Sequence, residues 1–93
     1  MVQTQEITVR NKVGLHARPA AVFVKTAARF ASRITLNNVS KGTQPVNAKS
    51  ILSVLSIAVQ MNDRICIVAE GDDEEQAVAA LRDLIESNFG ETE

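Results

Sequence analysis

Gly14, His16, Arg18 and Pro19 fall within one heptapeptide, Gly14-Leu15-His16-Ala17-Arg18-Pro19-Ala20, which holds the only histidine of the chain. It lies where an alternating, strand-like segment gives way to helical spacing. Proline has a fixed φ and no N–H to donate, so Pro19 suits the first turn of a helix and puts His16 at or just before its start. Free backbone N–H groups and the positive end of the helix dipole face outward there, a natural place to hold an anion, phosphate above all. Arg18 adds a fork of charged donors. An unprotonated imidazole offers a lone pair near neutral pH. A nucleophile, an anion-holding helix end and a guanidinium point to phosphoryl transfer through His16, with Ala17 and Pro19 framing the site. Such chemistry is mostly positioning and charge stabilisation. For an arbitrary lone histidine, capping a helix is the plainer role; Gly14 before it and Arg18-Pro19 after it weigh against that here.

The elements that must position these residues follow from periodicity. Gln5 to Arg10 alternates, with Ile7 and Val9 on one face, as a half-buried strand does. Asn11 to Gly14 is a loop, and Leu15 anchors its end. Ala17 to Phe30 is a helix whose stripe of Ala20, Phe23, Val24, Ala27 and Phe30 has the spacing of a buried face. Ile34-Thr35-Leu36 alternates as a second strand, residues 37–43 are turn-rich, and Gln44 to Asn47 is a short third strand with Pro45 at an edge or at the strand start. Ser50 is placed to cap a helix from Ile51 to about Ala58, with Ile51, Val54, Leu55 and Ala58 inward and Leu52 off the stripe. Asn62-Asp63 is a tight turn. Arg64 to Ala69 is the fourth strand, burying Ile65, Ile67 and Ala69. Asp72 with Glu75 reads as a capping box for a last helix, whose stripe is Ala77, Val78, Leu81, Leu84, Ile85 and Phe89 and which Gly90 stops. The order β-α-β-β-α-β-α gives an α+β fold with an antiparallel sheet covered on one face by helices.

Composition narrows the function. With 93 residues, 45% of them hydrophobic, the chain is expected to form a single domain, 1–93, with a modest aliphatic core, since it has three Phe and no Trp or Tyr. A net charge of −1 argues against a dedicated nucleic-acid binder. The basic residues lean to the first half, which would steer acidic partners toward the His16 end; Asp72 to Glu75 read as the solvated acids of a helix start. One Cys and one His, far apart in sequence, match no metal-ligand spacing, and the lone Cys66 cannot form an internal disulfide. No apolar run approaches a membrane span, so no membrane insertion and a cytoplasmic location are expected. Cys66 reads as a small apolar strand residue.

Three blocks resemble the HPr family, the histidine-containing phosphocarriers of the bacterial phosphoenolpyruvate-dependent sugar phosphotransferase system. Gly14-Leu15-His16-Ala17-Arg18-Pro19-Ala20-Ala21 is similar to the family's phosphorylation-site motif. Ala48-Lys49-Ser50-Ile51-Leu52 is similar to its regulatory-serine motif, and Ala69-Glu70-Gly71-Asp72-Asp73-Glu74 with Ala77 to the lead-in of its last helix. The resemblance covers nearly the whole length. One stretch and two positions depart from the pattern: residues 37–44 run a few residues longer, and Ala58 and Asn62 stand where many members have Gly.

The resemblance implies an open-faced β-sandwich of four antiparallel strands with three helices on one side. It implies that His16 takes a phosphoryl group on Nδ1 from phospho-enzyme I and passes it to enzyme IIA domains of sugar transporters, while Arg18 helps to hold and release it. Ser50 would be the regulatory position in bacteria that have HPr kinase/phosphorylase, with a transcriptional regulator as a further partner. Ile51, Leu52 and Ala20 would form the docking patch. The chain would be a monomeric carrier without a cofactor, not an enzyme with its own turnover. An HPr-like paralogue of a nitrogen or other regulatory phosphorelay would need the same His16. A small ligand-binding or oligomerisation domain would have no reason to set His, Arg and Pro around a helix start. A hydrolase lacks a second group placed to activate water.

Overall fold

The computed structural model describes residues 2–90. In chain order the elements are β1 (Val2–Thr8), α1 (Ala17–Ala28), β2 (Arg33–Asn38), β3 (Val46–Asn47), α2 (Ile51–Ser56), β4 (Arg64–Glu70) and α3 (Glu74–Glu86), followed by a short 3₁₀ turn, Asn88–Gly90. The strands form one antiparallel sheet in the order β1-β4-β2-β3. The fold is thus the expected open-faced sandwich. Strand alternation sets its inner face: Ile34, Leu36, Ile65, Ile67 and Ala69 are buried. Phe23, Ala27, Ala77, Leu81 and Ile85 come from α1 and α3 to close the core over it. No helix of the described residues is long and apolar enough to cross a membrane.

Several boundaries differ from the sequence expectation for identifiable reasons. β1 begins at Val2 and ends at Thr8 because its ladder with β4 runs from Val2 opposite Glu70 to Thr8 opposite Arg64; hydrogen bonding, not burial, fixes the polar half of this strand. β3 shrinks to two residues, leaving Pro45, which has no ladder donor, just outside it at the sheet edge. α1 stops at Ala28, so Phe30 packs against the core from a turn. α2 stops at Ser56, and Ala58 then takes a left-handed φ of 49°. The expected stripe is corrected accordingly: Val54 is buried, Ile51 and Ala58 are exposed, and Ile57 and Val59 fill the core once the helical period is broken. At the other end Phe89 is buried through the 3₁₀ turn rather than through α3.

The capping box is also corrected. The residue before α3 is Asp73, not Asp72, and its carboxylate leaves its own helix. It accepts from the N–H of Ala31 (2.8 Å) and of Ser32 (2.9 Å) and from the Ser32 hydroxyl, tying α3 to the turn between α1 and β2. The Ser32 hydroxyl and the Ala31 N–H hold the Asp73 carboxyl below the usual carboxylate range. Glu74 is buried and reaches back to the Gly71 N–H at 3.1 Å, so these acids are not uniformly solvated. A side chain on Gly71 would collide with Ser32 at this junction. Cys66 lies half-buried on the open face of β4; burial, then the nearby Glu6 charge, pushes its thiol up and lowers its reactivity.

The turn after β2 and the turn before β4 are joined through Asp63. Its Oδ2 accepts from the Gln60 N–H (3.0 Å), the Asn38 amide (3.0 Å) and the Lys41 ammonium (2.9 Å). These donors, the Gln60 N–H foremost, hold the carboxyl down at about 2. A depressed carboxyl contributes stability above its unfolded pKa of about 3.9 and loses it as pH falls through the folded value. Asp63→Asn should therefore cost about 1–2 kcal/mol at pH 7, and the gap from the parent should shrink as pH drops from 5 to 2. Urea unfolding across that range checks this; a gap independent of pH would contradict it.

Candidate functional site

The chain reaches His16 through a loop that is fixed almost atom by atom. At its start, the Val9 N–H donates to Asp63 O (2.9 Å) and the Val9 carbonyl accepts from the Asn62 N–H (2.6 Å). Asn62 occupies the left-handed region at φ 75°, which Asn tolerates better than most residues. Asn11 is buried; its side-chain amide N–H donates to Gly14 O (2.9 Å) and its backbone carbonyl accepts from the Gly14 N–H (3.2 Å). Asn11 Oδ1 is buried without a hydrogen-bond partner among the described residues. Gly14 has a φ of 63°, and a Cβ there would stand 2.2 Å from Val59 O. The next N–H, of Leu15, donates to that same carbonyl at 3.0 Å, and the Leu15 side chain is fully buried.

His16 follows in extended conformation (φ −125°, ψ 160°) at the N-cap of α1. Its side chain is exposed and makes no capping hydrogen bond, unlike the Ser, Thr, Asp or Asn usual at this position. Ala17 has a φ of 50°, a left-handed conformation that a residue with a Cβ adopts at a cost of about 1–2 kcal/mol. The N–H groups of Ala17 and Arg18 precede the first helical hydrogen bond, and Pro19 has none. The Arg18 side chain is exposed, while Pro19 is buried and directs the helix inward. Imidazole, guanidinium and two amides without an acceptor among the described residues thus share one exposed helix start, an arrangement able to hold a doubly charged phosphoryl group.

The remaining residues singled out in the sequence separate. Ser50 is the N-cap of α2, its hydroxyl accepting from the Ser53 N–H at 3.3 Å. Leu52 is 77% exposed and Ile51 39%, beside it on the first turn. Ala20 is fully buried, because it follows Pro19 onto the core side of α1. It offers no surface to a partner and is withdrawn from the docking patch. Three features escaped sequence reasoning: the left-handed Ala17, the buried Asn11 and the Val59 carbonyl under the loop. Only Gly14 hinted at the last, since a glycine before a helix start signals either a turn or a close backbone approach.

Fold and site together define a small open-sheet protein that presents one histidine at a helix N-terminus. A family model described as "PTS HPr component phosphorylation site" matches residues 3–87, and the chain belongs to the HPr family. It is 44% identical over 86 residues to the phosphocarrier protein HPr of Xylella fastidiosa, covering 92% of this chain and 93% of that protein. It is 39% identical over 90 residues to the multiphosphoryl transfer protein of Salmonella typhimurium, covering 97% of this chain; it spans only 24% of that relative's length. The crystal structure of HPr-C-His from Thermoanaerobacter tengcongensis superposes with a TM-score of 0.92 at 49% identity, over 98% of this chain and 99% of that one.

The contact between Gly14 and Val59 yields a direct prediction. Gly14→Ala adds both a left-handed penalty and a backbone collision, so it should lower the unfolding free energy by about 2 kcal/mol or more. Chemical denaturation checks this; parent-like stability would show that the loop does not lie on Val59.

Proposed function

We propose that the chain is a phosphoryl carrier of the phosphoenolpyruvate-dependent sugar phosphotransferase system, accepting the group on His16 from phospho-enzyme I and passing it to enzyme IIA domains. The observation that carries this reading is the state of His16: exposed, at a helix N-cap, and free of any capping bond. In each transfer the Nδ1 lone pair attacks phosphorus, the bond from phosphorus to the donor breaks, and Nε2 keeps its proton. The reverse exchange onto the next acceptor needs no cofactor. Arg18 and the amides of Ala17 and Arg18 offset the oxyanion charge of the group while it is held and in flight. The partner turns the carrier over, so the chain has no turnover of its own. It works as a cytoplasmic monomer, because His16 must face several partners in turn.

Ser50 and the apolar pair beside it form a second, regulatory part of this reading. Ile51 and Leu52 supply exposed apolar surface for docking. A phosphate on Ser50, added by HPr kinase/phosphorylase, would sit comfortably at the start of α2 and would not unfold it. It would place a dianion beside the apolar pair and weaken docking. A transcriptional regulator would read the same modified surface.

Intact mass after mixing with phosphoenolpyruvate and enzyme I tests the whole reading. The parent should gain one phosphoryl group, lose it in acid, and His16→Ala should gain none. Arg18→Ala should accept at least about tenfold more slowly, and Ser50→Asp should also be slowed. An unmodified parent, or a group retained by His16→Ala, would overturn the proposal.

A further inference from the structure

The stretch from Ile57 to Asp63 has two sides. One side carries the acceptor loop, through Val59 O to the Leu15 N–H and through Asn62 and Asp63 to Val9. The other side is gripped by the turn after β2. Lys41 Nζ donates to Ala58 O (2.5 Å), Gln60 Oε1 (3.1 Å) and Asp63 Oδ2 (2.9 Å), so all three ammonium protons are spent on this one stretch. Asn38 adds a bond from its amide to Ile57 O at 3.1 Å.

Taken alone, the Lys41–Asp63 ion pair is a surface pair of little consequence. What sets Lys41 apart is the carbonyl it takes. Ala58 holds a left-handed φ of 49° with no glycine to make that easy. The carbonyl of this strained residue is the one Lys41 binds, and the next carbonyl along, of Val59, is the one that holds Leu15. Releasing Ala58 would let it relax, turn the Val59 carbonyl away, and loosen the residue that precedes His16.

We propose that Lys41 is a positioning residue for phosphoryl acceptance at His16: by binding the carbonyl of left-handed Ala58 it aims the Val59 carbonyl at the Leu15 N–H. The role in acceptance rests on the carrier reading of His16; the mechanical link does not. It follows that glycine at position 58, which adopts this φ unaided, makes Lys41 dispensable.

Four chains test this: the parent, Lys41→Met, Ala58→Gly and the double variant. Two measurements are made on each, the rate of phosphoryl uptake from phospho-enzyme I and amide hydrogen exchange at Leu15 relative to Ile67 in β4. Lys41→Met should speed Leu15 exchange about tenfold relative to Ile67, since the opening is local, and should slow uptake roughly tenfold. The double variant should recover both. An equal rise at Ile67 would mean general destabilisation, and failure of Ala58→Gly to rescue would mean that Lys41 acts elsewhere, for instance by touching the donor. Either result overturns the proposal. If the parent takes up phosphate and Lys41→Met matches it, only the role of Lys41 falls. If the parent takes up none, the carrier reading itself falls, and with it the role in acceptance, while the exchange ratio still decides the mechanical link.

Discussion

The His16 end of the molecule depends on one backbone contact, the Val59 carbonyl against Gly14 and the Leu15 N–H. Loops ordinarily lie free on a surface. This one is pressed onto a second turn so closely that no side chain fits at residue 14. The contact allows Leu15 to drop into the core, and His16 emerges on the opposite side with its imidazole in solvent. Pro19 and Ala20 then dive inward, so the exposed stretch is only three residues long. A short tether between two buried anchors limits how far the imidazole can wander, which the proposed transfer by positioning requires.

The helix start itself is built with a tension. Side chains that cap helices do so with an oxygen that accepts from the first amides. His16 occupies that position and declines the bond, Ala17 takes an unfavourable φ, and Pro19 removes one amide that would need satisfying. Among the described residues the amides of Ala17 and Arg18 have no hydrogen-bond acceptor. Among the ring nitrogens, Nδ1 stands as many bonds from Cβ as the Oδ atoms of a capping Asp, and Nε2 one bond further. On the carrier reading proposed above, a phosphoryl group on Nδ1 rather than Nε2 would be the one to lie against the helix end.

Much of this was legible in the residues. The alternation of β2 and β4 announced the sheet, because period-2 patterns reflect burial directly, and the heptapeptide around His16 announced a helix start with an exposed histidine. The misreadings have physical causes. At Ala58 the helical period is carried past the point where φ turns positive, at Ala20 a motif is carried past the proline that turns α1 inward, and at Ile51 the period is applied to the first residue of α2, which is exposed. Asp73, rather than Asp72, leads into α3 because its carboxylate is engaged by Ser32, some forty residues away in sequence, and no local pattern encodes that. The Lys41 grip was invisible for the same reason: a lysine in a polar turn looks like any other until the fold brings three acceptors to it.

Nuclear magnetic resonance of the phosphorylated chain, with ³¹P–¹⁵N correlation on the imidazole and ¹H–¹⁵N shifts along the backbone, tests the role of the helix start at His16. Phosphorus is expected on Nδ1 of His16, with the largest amide shifts at Ala17 and Arg18. Phosphorus on Nε2, or amides of Ala17 and Arg18 that stay in place, would contradict it.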